Sequence, residues 1–101
     1  MARSRVVFHP DTVREVEEAR DWYRERSAKA EDGFVAELNH AVEQIADAPL
    51  RWPRFKANTR RYVFRRYPYS LVYRAQGDLV RILAVAHDRR RADYWLVRTE
   101  A

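Results

Sequence analysis

The run Leu79–His87, reading LVRILAVAH, constrains the fold more than any other part of the chain. It is apolar on both faces near Ile82 to Ala86, and a strand of that kind belongs at the centre of a sheet with helices covering one side. Before it stand the turn residues Gln76, Gly77 and Asp78, and before those Tyr69, Leu71 and Tyr73 alternate with Ser70, Val72 and Arg74. This alternation predicts a strand over Tyr69–Ala75 that pairs antiparallel with the central run. A third candidate strand, Arg60–Arg65, is set off by Tyr67 and Pro68.

The first half follows another period. Arg5–Phe8 is a short β-rich run stopped by Pro10. Thr12 and Glu15 then have capping-box spacing, and Val13, Val16, Ala19 and Tyr23 recur every three or four residues, which predicts an amphipathic helix of about four turns. The pattern breaks near Ser27. Phe34, Leu38, Ala41, Ile45 and Ala48 resume it until Pro49 forbids continuation. Leu50–Asn58 has no sustained period and reads as a loop. The expected fold is therefore α+β, in the order β-α-α-β-β-β: an N-terminal strand, an antiparallel helical hairpin, then three antiparallel strands. The helices would lie on one face of a small four-stranded sheet, leaving the other free.

Length and composition narrow the function. With 101 residues, 1–101 is expected to be one domain with one modest core. The absence of cysteine excludes disulfides, zinc-thiolate sites and thiol nucleophiles. His9, His40 and His87 lie far apart, and two glycines make no phosphate-cradling loop, so neither metal nor cofactor is expected. The longest apolar stretch falls far below the roughly 20 residues of a membrane span, and no signal peptide is read at the start, so the expected location is the cytoplasm.

Charge is divided unevenly. Residues 1–50 carry 7 basic against 11 acidic side chains, whereas residues 51–101 carry 13 against 4. Such a basic half suits an anionic partner, nucleic acid or an acidic protein segment. If Tyr62 and Phe64 face the helices, Arg61 and Arg65 face outward. Arg60, Arg61, Arg65, Arg89, Arg90 and Arg91 are the candidate target- or anion-binding residues. On the first helix, Glu17, Glu18, Asp21 and Glu25 are interleaved with Arg14, Arg20 and Arg24 and read as a solvated, ion-paired face.

Two readings of the tip after the central strand stay open. Metal-free RNA cleavage needs a base, cations for the phosphate and an acid for the leaving oxygen. Arg61, His87, Arg90 and Tyr94 would supply those parts only if the chain is a nuclease. Alternatively His87 closes the strand end on backbone, and Trp95 folds back as an apolar plug. Tyr94 is open to either role, stacking on a base or packing inside.

Several segments together resemble the RelE/ParE toxin superfamily of bacterial type II toxin–antitoxin modules. They are the element order, ADAPLRWP from Ala46 to Pro53, the Arg61 strand, YPYSLVY from Tyr67 to Tyr73, and AVAHDRRRADYW from Ala84 to Trp95. The spacing H-x-x-R-x-x-x-Y-W, with that strand, resembles the ParE-like side. The resemblance implies a growth-inhibiting toxin bound by a cognate antitoxin, with DNA gyrase as target on the ParE side and the ribosome and its mRNA on the RelE side. A non-toxic binding module is the third expectation. RelE-like catalysis uses strand lysines and arginines with a C-terminal tyrosine. Only Arg60 or Arg61, Arg89 or Arg90, and Tyr94 correspond here, and the lysines are missing, which favours gripping over cutting.

Overall fold

A computed structural model describes residues 3–99. The elements are β1 (Arg5–Phe8), α1 (Pro10–Arg26), α2 (Ala28–Asp47), β2 (Arg54–Phe55), β3 (Thr59–Val63), β4 (Tyr69–Gln76) and β5 (Leu79–His87), with 3-10 turns at Lys56–Asn58 and Leu96–Thr99. The sheet order is β1-β5-β4-β3-β2. β1 runs parallel to β5, and every other pairing is antiparallel. The α+β architecture and the central place of the Leu79–His87 strand are as expected. The sheet has five strands rather than four, because two residues of the expected loop, Arg54 and Phe55, pair with Arg60 and Thr59.

The helical hairpin turns on one serine. The Ser27 N–H closes α1 on the Tyr23 carbonyl, while its hydroxyl caps α2 by accepting the Ala30 N–H at 3.2 Å. Arg20 and Arg24 of α1 then clamp Glu31 of α2, and the hydrogen bond from Arg24 holds that carboxyl below its usual range. The start of α1 differs from the expected capping box. His9 is the cap, its Nδ1 accepting the Asp11 N–H at 3.1 Å, and Pro10 takes the first helical position. Thr12 and Glu15 lie inside the helix and face the sheet, where the Thr12 hydroxyl donates to the Ile82 carbonyl.

The main core fills the space between hairpin and sheet. Phe34, Leu38, Ala41 and Ile45 of α2 meet Leu71 and Tyr73 of β4 and Val80, Ile82 and Val85 of β5. Tyr62 and Phe64 join them from the β3 side, and Arg61 is exposed. Burial of each large apolar side chain contributes about 1.5–3 kcal/mol.

A bulge decides what the end of β5 presents. Val72 pairs with Ala84 but Tyr73 pairs with Ile82, so Leu83 is the extra residue. Val80, Ile82 and Val85 consequently share the helix side, while Ala84 and Ala86 join Val72 on the opposite one. That opposite face is not free, as the simple packing suggested. Trp95, only 3 % exposed, lies on Val72 and Ala84 and stacks near Phe55 with ring centroids 5.8 Å apart.

Gly33 fixes how closely the turn between β3 and β4 approaches α2. A Cβ at this position would collide with the Tyr67 hydroxyl, which donates to the Ala30 carbonyl at 2.9 Å. Tyr67 is hemmed in by Tyr23 and Phe34 and cannot swing away freely. Gly33→Ala should therefore lower stability by about 1–2 kcal/mol in thermal denaturation despite alanine's better helix propensity. The loss should shrink in a Tyr67→Phe background.

Candidate functional site

The end of the sheet at His87 gathers the chemistry. Val63 pairs with Ser70 and Tyr69 pairs with His87, so the turn after β3 and the loop after β5 emerge side by side. The Asp88 N–H bonds the Pro68 carbonyl across them at 2.9 Å. Between this loop and the outer sheet face lies a cleft of about 340 Å³ whose lining includes Lys56, Arg61, His87, Arg90, Arg91 and Tyr94. Lys56 is bound by Asp93 at 2.8 Å, which pins the chain at Asp93, where φ is +68°. The Arg61 guanidinium lies 4.5 Å from the Phe55 ring centroid.

Glu15 organises the tail. Its carboxylate is buried, with the side chain 7 % exposed, and it accepts from four directions. The Val85 N–H reaches Oε1 at 3.0 Å, while the Tyr94 hydroxyl, Arg98 Nη2 and Arg90 Nη1 reach Oε2 at 2.5, 3.0 and 3.4 Å. Arg98 also donates to the Leu83 carbonyl at 2.9 Å, so the bulge residue and the tail are tied together. One helical carboxylate thus holds β5, the loop and the C-terminal turn in register. The sequence offered Glu15 only as the capping-box partner of Thr12, and nothing in it singled out Arg98. The available signal was a carboxylate three residues after Thr12 and four before Ala19, on the buried side of an amphipathic helix.

Tyr94 is locked by this arrangement. Arg90 lies 3.9 Å over its ring and Arg98 5.1 Å from it. Burial raises its pKa well above that of a free phenol, the hydrogen bond and charge of Glu15 raise it further, and the two arginines only partly oppose them. Burial also pushes the Tyr69 and Tyr73 phenols up to about 12. The folded chain therefore retains protons that the unfolded chain releases from about pH 10. Stability is fully present below that pH and should fall as the pH rises through about 12, with phenolate absorbance appearing late in an ultraviolet titration.

His87 closes its own turn, its Nδ1 accepting the Arg89 N–H at 3.0 Å. The bulge sets the ring edge-on to Tyr69, with centroids 5.0 Å apart. With Nδ1 accepting, the neutral ring carries its proton on Nε2 and offers no second acceptor.

The structure also sorts the arginines. Arg61, Arg90 and Arg91 share the cleft with His87 and Tyr94, and Arg65 and Arg89 are exposed at the same end. Arg65 and Arg66 stand in the turn after β3, beyond the strand end, where Glu37 accepts both backbone N–H groups. Arg60 lies apart, on the helix side of β3, and donates to the Trp52 carbonyl at 2.7 Å. Arg74 bridges the carbonyls of Ala57, Asn58 and Thr99. Part of the basic second half therefore works inside the fold, bonding carbonyls. Among the described residues no three His, Asp or Glu side chains gather as a metal site would need, and no helix is long and apolar enough to cross a membrane.

Comparison with known proteins places this geometry in context. A family model described as the ParE toxin of the type II toxin-antitoxin system, parDE, matches residues 6–92. Among solved structures the chain is similar to "Chromosomal ParDE TA system from P. aeruginosa", with a TM-score of 0.73, 15 % identity, and coverage of 84 % of this chain and 96 % of that one. At that identity the likeness speaks for the fold. No curated protein matches the sequence.

Proposed function

The chain belongs to the ParE toxin family of type II toxin–antitoxin systems, and we propose that it inhibits growth by gripping its target, DNA gyrase. In this reading a cognate antitoxin neutralises it in the cytoplasm, within a toxin–antitoxin hetero-oligomer. The observation that carries the reading is the commitment of both proton-transfer groups to the fold. Tyr94 donates its hydroxyl to buried Glu15, and the Nδ1 of His87 is taken by the Arg89 N–H. What faces solvent is a set of guanidiniums: Arg61, Arg65, Arg89, Arg90 and Arg91. Always charged and rich in donors, these suit recognition of carboxylate or phosphate better than proton transfer.

One observation favours the RelE-like endonuclease reading. Arg61, His87, Arg90 and Tyr94 do line one cleft. The readings separate on expression. The chain alone should arrest growth, co-expression of the adjacent reading frame should restore it, and message in a translating extract should remain intact. Codon-positioned cuts that vanish in Arg90→Ala would establish the endonuclease instead. Harmless expression of the folded chain would leave a non-toxic binding module.

A further inference from the structure

Arg90 stands in the wall between two cavities. On one side is the sheet-face cleft; on the other, between α1 and the ends of β4 and β5, a groove of about 390 Å³ runs past Ala19, Trp22, Tyr23, Pro68 and Tyr69. His87 and Arg90 line both.

Three donors converge on Glu15 Oε2, one more than an oxygen with two lone pairs directs well. The longest contact, 3.4 Å, belongs to the most exposed of the three groups. The Arg90 side chain is 49 % exposed, against 9 % for Arg98. Arg98 by itself neutralises the carboxylate. Arg90 therefore carries a charge that Glu15 does not need, on a guanidinium already held over the Tyr94 ring. An incoming anion that takes Arg90 leaves no buried charge unpaired, which removes the main cost of breaking such a contact.

We propose that Arg90 is a single anion receptor open to both cavities, holding either a carboxylate of an acidic peptide in the α1 groove or an anion in the sheet-face cleft, one at a time. The groove suits a peptide because its floor is aromatic and aliphatic, with Trp22 half-exposed at its rim. Exposed Arg65, Arg66, Arg89 and Arg91 at this end of the sheet set the sign of the partner's charge. Glu18 on the α1 rim repels the same sign, so the peptide's carboxylate lies toward β5. The proposal rests on the reading of the exposed arginines as the surface that meets anionic partners. It makes a neutralising acidic segment and an anionic target group compete for one guanidinium.

The test uses the full chain with isotopically labelled arginine, inorganic phosphate as the small anion, and a blocked peptide of alternating leucine and glutamate. Ionic strength is held constant with chloride. Both probes should move the Arg90 Nε–Hε resonance. Phosphate at a tenfold excess over its own Kd should weaken the peptide about elevenfold. In Arg90→Gln, with its amide spectrum showing the fold intact, the peptide's Kd should no longer depend on phosphate. Failure of either probe to bind at millimolar concentration overturns the proposal. So does a peptide affinity indifferent to phosphate, or competition that survives Arg90→Gln. Growth is not read here, so competition in a chain that leaves growth unaffected would sink the toxin reading and leave this one standing.

Discussion

Glu15→Ala should cost about 3–5 kcal/mol of folding stability in urea denaturation, a large share of the 5–15 kcal/mol of an ordinary domain. The substitution leaves the Arg98 guanidinium, 9 % exposed, without its carboxylate, and leaves the Val85 N–H without its acceptor at the end of β5. Arg98 would have to leave the interior, taking with it the turn that seats Trp95 on Val72 and Ala84. Hydrogen exchange should accordingly rise first at Trp95–Thr99 and at the last residues of β5. Replacing both partners by apolar residues of similar volume, Glu15→Leu with Arg98→Met, should recover the part of the loss that lies in the unpaired charge, while the Val85 N–H and the Tyr94 hydroxyl still lack their acceptor. A single variant no worse than about 1 kcal/mol would mean that the tail is held by packing alone.

The double charge reversal Arg89→Glu, Arg91→Glu should behave in the opposite manner. Both side chains are exposed, and neither takes part in the salt bridges that hold Lys56, Arg90 and Arg98 nearby among the described residues. Stability should stay within about 0.5 kcal/mol per site. Affinity for the target should fall by about 100-fold, equivalent to about 2.7 kcal/mol, because two attractive charges become repulsive ones. Growth inhibition should disappear with it. Retained toxicity in this variant would move recognition away from the arginine loop.

The regular elements were legible because each answers to a period. The α2 pattern from Phe34 to Ile45 is set by burial on one face, and in β4 Tyr69, Leu71 and Tyr73 take the helix side while Val72 lies under Trp95, the apolar plug that one reading of the tail expected. Features that depend on a distant partner were not legible. β2 is two residues long and exists only because Thr59 and Arg60 come back beside it. The bulge at Leu83 leaves no mark in an apolar run, yet it turns Val85 and His87 to the helix side. Glu15 has the spacing of a cap but answers to Val85, Tyr94 and Arg98, 70 to 83 residues away in sequence. The arginines posed the same difficulty. Arg60 and Arg61 are neighbours in sequence on opposite faces of a strand, one spent on the Trp52 carbonyl and the other on the surface.

Supercoiling by purified DNA gyrase, measured against increasing toxin with the wild-type chain, Tyr94→Phe and Arg89→Glu/Arg91→Glu in parallel, tests the central claim most directly. A grip on the target that needs surface arginines and no proton transfer predicts inhibition at micromolar wild-type protein. The effect should be nearly the same with folded Tyr94→Phe and absent with the double reversal. Gyrase that supercoils normally at micromolar toxin would contradict it.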